Sequence, residues 1–278
     1  MVLIADSGST KAHWCLAEHG KMVAEFFTKG MNPFFQTEEE MTEEIRSALL
    51  PRLGEYATPD LIQFYGAGCT PEKSVTVHRV LQELFPEVSQ IEVQSDMVGA
   101  ARAVCGSQPG IACILGTGSN SCFFDGSKVV DNVSPLGFIL GDEGSGAVLG
   151  KLMVGALLKN QLTPGLKEEF LEQYQLSAPV IIDRVYRKPF PNRFLASLSP
   201  FLAAHLDDST VHDLVLNAFR DFFRRNVAQY ANYRQYSVGF VGSVAWYYRK
   251  VLAEAAMMEG IQLGLVVQDP VQEIVRQQ

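Results

Sequence analysis

Apolar positions along the chain follow two alternating patterns. Short apolar or alternating runs predict strands at about 2–6, 12–18, 22–28, 61–66, 91–95, 111–115, 120–124, 128–133, 237–241 and 262–267. Between them, apolar residues three and four apart predict helices in "EEEMTEEIRSALLPRL", "PEKSVTVHRVLQELF", "MVGAARAV" and "SGAVLGKLMVGALLKN", followed by a mostly helical region from about Thr163 to Tyr230. Strands alternating with helices in this way imply an α/β chain carrying a helical insertion. The stretch "RDFFRRNVAQYANYRQY" reads as a core-facing helix with a solvated side.

One pattern occurs twice. "LIADSGST" aligns with "CILGTGSN", putting Leu3 on Cys113, Ile4 on Ile114, Gly8 on Gly118 and Ser9 on Ser119, about 110 residues apart. Each copy is a strand, a Gly/Ser/Thr turn and a second strand, which favours a duplicated lobe and a cleft between two turns. The first turn is not a P-loop, because "KAHWCLAE" continues as a strand where that motif needs a helix. It is open to two readings. It is a hairpin turn, or it is an anion nest in which glycine lets phosphate approach the backbone, hydroxyls add donors and Lys11 adds positive charge. Asp6 has no counterpart at Gly116, and a nucleotide brings one magnesium that needs one carboxylate-lined corner, so Asp6 is the metal-side candidate.

Composition narrows the function classes. The 278 residues suffice for two modest lobes, 47% are hydrophobic, and no apolar run approaches the roughly 18 residues of a membrane span. Asp6 interrupts the first apolar run and no basic segment precedes it, so a signal peptide is not expected and a cytoplasmic location is. A net charge of -8 with no long basic run argues against a nucleic-acid partner. The five cysteines include no Cys-x-x-Cys pair and read as buried thiols; the five histidines lack metal-ligand spacing.

Asp6-x-Gly8-x-Thr10 with the later Gly116-Thr117-Gly118-Ser119 resembles the pair of phosphate motifs of the actin, sugar-kinase and Hsp70 ATPase superfamily. The adenosine motif expected from that resemblance is "GFVGSVAWYY", where an apolar strand reaches Gly242-Ser243-Val244 and then a helix. "GTGSN" (Gly116 to Asn120) and "GDEGS" (Gly141 to Ser145) are most similar to the N-acetylglucosamine kinases and their BadF/BadG-type relatives. The resemblance implies a two-lobed actin-like (ribonuclease H-like) ATPase fold, with an N-terminal lobe over 1–106 and a C-terminal lobe over 107–278. The last helix is open to packing back on the first lobe. It implies ATP and Mg2+ as cofactors and phosphorylation of an N-acetylated amino sugar, N-acetylglucosamine at its 6-hydroxyl. ATP would meet Ser7, Gly8, Ser9, Thr10, Lys11, Gly116, Thr117, Gly118, Gly242, Ser243 and Val244. The expected partners are the sugar and ATP alone, without nucleic acid or membrane, and the resemblance admits a homodimer.

Phosphoryl transfer to a hydroxyl needs a carboxylate that accepts its proton, and Asp96 is the candidate, ending "IEVQS" and opening "MVGAARAV" at the carboxyl edge of a sheet. Local sequence alone favours a helix N-cap at Asp96, and the match to the family's catalytic Asp reverses that preference. Asp142 and Glu143 precede a helix, where acidic residues stabilise helix starts, but the flanking Gly141, Gly144 and Gly146 would let a ligand lie against the backbone. The resemblance assigns the sugar to Asn32, Asp96, Ser119, Asn120, Gly137 and Asp142, and leaves the role of Glu143 open.

Two features depart from the family pattern. Leu136 or Phe138 replaces the usual tryptophan-type aromatic before "GDEG", and Glu273 and Ile274 stand where small residues line a last helix. Two other functions compete. The activator ATPase of 2-hydroxyacyl-CoA dehydratases would use Cys113 for an iron–sulfur cluster, but no cysteine follows Cys122. A non-catalytic sugar or nucleotide sensor would be expected to lose Asp6 or Asp96, and both are present.

Overall fold

The structure, a computed structural model, describes residues 1–8, 10–56 and 58–277. It divides into two compact units, one of Met1–Gln108, Gly126–Val129 and Asp269–Gln278, the other of Pro109–Asp125 and Val130–Gln268. The division differs from a single cut after residue 106, because the last ten residues belong with the first unit.

The first unit opens with an antiparallel meander of β1 (Val2–Ser7), β2 (Lys11–Glu18) and β3 (Lys21–Lys29). A capping box of Thr37 and Glu40 then starts α1 (Glu38–Glu44), which continues through a π turn over Ile45–Leu49 into α2 (Leu50–Leu53). Periodicity predicts one continuous helix here. Pro51 accounts for the difference, since it lacks an N–H for the carbonyl four residues back and its ring crowds that carbonyl. After it come β4 (Leu61–Gly66), α3 (Ser74–Leu84), β5 (Gln90–Ser95) and α4 (Asp96–Cys105).

The sheet order is β3-β2-β1-β4-β5, with β4 and β5 parallel to β1. Ser7 pairs with Gly66 and Gly66 with Ser95, so the carboxyl ends of the three parallel strands share one edge. Alternation sends Leu3, Ala5, Trp14, Ile62 and Phe64 into one core layer, and leaves Asp6 on the opposite face.

In the second unit, β6 (Gly110–Leu115), β7 (Ser119–Phe124) and β8 (Val129–Asp131) precede a helical run. That run is α5 (Gly137–Leu140), α6 (Gly146–Leu158), α7 (Leu166–Gln173), α8 (Ala178–Tyr186), α9 (Pro191–Leu198), α10 (Pro200–Ala204) and α11 (Ser209–Arg225). β9 (Val238–Val241), α12 (Ser243–Tyr247), α13 (Arg249–Met258) and β10 (Leu263–Val267) complete it. The order β10-β9-β6-β7-β8, with β9 parallel to both β6 and β10, repeats the β5-β4-β1-β2-β3 order of the first sheet. One topology is thus used twice, as the strand-turn-strand echo predicts. The helical run is inserted between β8 and β9, where it buries Phe170, Phe201, Phe219 and Phe222.

The stretch 220–236 is not one helix. α11 ends at Arg225, buried Asn226 leaves the helical path, and 3-10 turns follow at Val227–Gln229 and Tyr233–Gln235. A last helix, α14 (Val271–Val275), packs on α4, β1 and β2 of the first unit through buried Val271, Ile274 and Val275. Among the described residues no helix is long and apolar enough to cross a membrane.

Candidate active site

In the first unit the turn between β1 and β2 is closed by Gly8 N–H donating to Lys11 O, 3.0 Å, and Gly30 N–H donating to Thr10 O, 3.0 Å. The turn is thus held from below by the end of β3, and it can approach so closely only because residue 30 is glycine: a Cβ there would run into Gly8 O and stand 2.7 Å from Thr10 N. Sequence reading missed Gly30. Ser7 departs from its expected role at the side chain. Its hydroxyl is fully buried, accepts Met31 N–H at 2.8 Å and donates to Met31 O at 3.2 Å, pinning the loop after β3. Lys11 Nζ lies 3.8 Å over the Phe27 ring. Ser9 lies outside the described residues.

Asp6, half-buried near the end of β1, has its carboxyl held well above the usual carboxylate range, first by burial and then by the charges of Asp269 and Asp96. Asp96 is in the first turn of α4, and Ser95 occupies the N-cap, so Asp96 is not the cap residue that local sequence permits. One Asp96 oxygen accepts Met97 N–H at 2.9 Å, yet burial outweighs this and raises the carboxyl to about 6. Asp96 stands at the shared carboxyl edge of β1, β4 and β5.

Asn32 is buried in the loop after β3. Its Oδ1 accepts Phe34 N–H at 3.0 Å, and its backbone N–H donates to Gln36 Oε1 at 2.8 Å. A Cβ on Gly68, in the loop after β4, would stand 3.0 Å from Asn32 Cγ, so these two loops also meet through a glycine. Asp269 was not singled out from the sequence. Its Oδ2 is 2.7 Å from His13 Nδ1, and nothing local in "QDPVQ" signals this pairing across 256 residues.

In the second unit the loop Gly116–Gly118 joins β6 to β7, closed by Gly116 N–H donating to Gly118 O at 2.9 Å. The first turn of α6 rests on it: Gly146 N–H donates to Gly116 O at 2.8 Å and Ala147 N–H to Thr117 O at 3.1 Å. Because β9 lies parallel beside β6, Gly242 reaches the same place, with Gly242 N–H donating to Val267 O of β10 at 3.0 Å. Val244 is buried and Ser243 exposed at the start of α12. The Gly116–Gly118 loop and the Gly242–Val244 segment therefore form one corner.

Asp142, with φ +54°, is anchored by its N–H donating to Pro135 O at 2.9 Å. The nearby Ser119 N–H favours its charged form, and a Cβ on Gly118 would stand 3.0 Å from Oδ2. Burial raises the Asp142 carboxyl to about 6. The structure thus brings Asp142 and Ser119 together. Asn120 Oδ1 accepts Ser121 N–H at 2.9 Å and Asn132 Nδ2–H at 3.0 Å, so its carbonyl end is engaged within the unit. Gly137 opens α5 with φ +74° and is exposed. Phe138 packs on the core, whereas Leu136 is exposed. Glu143 is structural: buried, it accepts Asn226 Nδ2–H at 3.1 Å and pairs with Arg225 at 2.7 Å.

No family profile and no curated protein sequence matches the chain. A solved structure from Porphyromonas gingivalis, provisionally described as an N-acetylglucosamine kinase, is 52% identical, with a TM-score of 0.97 over 100% of this chain and 98% of that one. The chain belongs to the N-acetylglucosamine kinase family. A provisional N-acetylglucosamine kinase from Chromobacterium violaceum, 18% identical over 99% of this chain and 98% of that one, shares the fold at a TM-score of 0.77. A ROK family glucokinase from Streptomyces griseus, solved with glucose and AMPPNP, does so at 14% identity and a TM-score of 0.61, covering 99% and 97%. The N-acetylglucosamine kinase family thus uses the same doubled sheet topology as more distant sugar kinases.

Proposed function

We propose that the chain is an ATP-dependent kinase of an N-acetylated amino sugar, transferring the γ-phosphoryl group to the 6-hydroxyl of N-acetylglucosamine. The observation that carries this reading is Asp96: a half-buried carboxyl at the carboxyl edge of parallel strands, raised by burial to about 6. Such a group is ionised at neutral pH yet is a stronger base than an exposed aspartate, which suits acceptance of the sugar hydroxyl's proton. Asp142, beside Ser119 N–H, and Asn32 are the residues we assign to sugar hydroxyls. Thr10, the Gly116–Gly118 loop and the Gly242–Val244 segment are assigned to ATP.

The residues around Asp6 fit magnesium. Asp6 is an oxygen donor in a field made more negative by Asp269 and Asp96, which favours a hard divalent cation. Among the described residues no group of three His, Cys, Asp or Glu could hold a metal ion by itself, as suits an ion shared with nucleotide phosphates. When bound, magnesium would neutralise phosphate charge. The iron–sulfur activator alternative is disfavoured, because Cys113 is fully buried in the core on β6. The test is ADP release across a panel of amino sugars and hexoses with ATP and magnesium. Release stimulated at least about tenfold by N-acetylglucosamine is expected; equal release with and without every sugar overturns the kinase reading.

A further inference from the structure

β1 and β2 place Asp6 directly opposite His13, so their side chains share one face of the sheet. His13 is itself opposite Phe27 on β3, and the two rings stack with centroids 4.6 Å apart. The imidazole is buried and held at Nδ1, which lies 2.7 Å from Asp269 Oδ2, while Nε2 makes no hydrogen bond although Glu25 Oε2 is 3.2 Å away. Asp269 is in turn fixed at its other oxygen, Oδ1, which accepts Val271 N–H at 2.9 Å at the start of α14. Packing of α14 on β1 and β2 carries this carboxylate to the face that bears Asp6. The result is that Asp6, His13 and Asp269 come to one face of the sheet, Asp269 fixed on His13, from the first strand pair and the last helix.

We infer that Asp269, clamped by His13 and by the Val271 N–H, is a positioning residue for the magnesium-nucleotide corner, holding a second negative charge on the Asp6 face that strengthens divalent-cation binding. It acts through Asp6 and does not itself need to touch the ion. A fixed charge differs from a mobile one here. An exposed aspartate would swing into water and be screened, whereas both oxygens of Asp269 are committed to partners. The inference rests on the assignment of magnesium to Asp6 in the proposed function.

The test is Mn2+ binding to the full-length protein in the presence of AMPPNP, read by water-proton relaxation, with melting temperature measured in parallel. Asp269→Asn keeps an acceptor for Val271 N–H and a partner for His13 but removes the charge, and is expected to weaken Mn2+ binding by about tenfold. Asp269→Glu, which keeps the charge, should stay within about threefold of the wild type. His13→Gln, which frees Asp269 while leaving its charge, should fall between them. If Asp6→Asn abolishes Mn2+ binding while Asp269→Asn leaves it unchanged, the positioning role is wrong and the Asp6 assignment stands. If Asp6→Asn also leaves it unchanged, the Asp6 assignment fails instead. Should Asp269→Asn not fold, Asp269→Ser, which retains an oxygen for the Val271 N–H, gives the same discrimination.

Discussion

Gly242 lies against the carbonyl of Leu115: a Cβ on it would run into Leu115 O and stand 2.9 Å from Leu115 C. The contact joins the end of β9 to the end of β6 and sets the Gly242–Val244 segment beside the Gly116–Gly118 loop. Gly242 also has φ +121°, a conformation that L side chains rarely adopt. Gly242→Ala is therefore expected to cost about 3 kcal/mol or more, seen as a fall of about 6–12 °C in melting temperature.

Gly116 offers the contrast. Nothing lies within 4 Å of a Cβ built there. Gly116→Ala should leave the melting temperature within about 2 °C of the wild type, yet weaken ATP binding by calorimetry, because the methyl group occupies the space where phosphate would approach the backbone. Unchanged ATP affinity would remove this loop from the nucleotide site.

Asp96→Asn is nearly isosteric and still accepts Met97 N–H. If Asp96 takes the sugar proton, kcat should fall by roughly 10²–10⁴-fold while sugar and nucleotide affinities stay within about tenfold. Retention of more than about a tenth of the activity would remove Asp96 from the proton transfer.

The same carboxyl sets a pH dependence. Asp96 must be ionised to accept a proton, so kcat/KM is expected to rise with pH through about 6, where burial places it, and this limb should vanish in whatever activity Asp96→Asn retains. Stability runs the other way. The folded-state value lies above the ordinary 3.8, so the folded protein favours the protonated form, and stability falls as pH rises from about 4 to about 6. Asp96→Asn should therefore melt higher than the wild type at pH 7.5, with the difference shrinking towards pH 4, in a series of thermal melts.

Glu143 and Arg225 should respond unequally. Glu143→Ala strands the buried Asn226 amide and is expected to cost about 2–4 kcal/mol by denaturant unfolding. Arg225→Ala removes a side chain that is 59% exposed, and should cost less than about 1 kcal/mol.

Much of the fold was legible because its signals are local. Short apolar runs mark β1, β2 and β6, and the strand-turn-strand echo at Gly8 and Gly118 anticipates two sheets with one order. Where a local signal had a local competitor, the pattern misled. Pro51 turns a continuous helical period into a π turn, and Asn226 ends a helix whose apolar spacing runs on to Tyr236.

The sequence by itself determined which residues stand at strand ends and in tight turns: Asp6, Gly8, Asp96, Gly116 and Gly242 owe their places to periodicity and to glycine in the chain beside them. Tertiary structure alone decided what those residues meet. Ser7 spends its hydroxyl on Met31, Glu143 reaches Asn226 across 83 residues, and Asp269 reaches His13 across 256. Hydrogen bonds, desolvation and charge act through space, so whether a carboxyl is raised to about 6 or paired as a structural anchor depends on which distant segments fold against it.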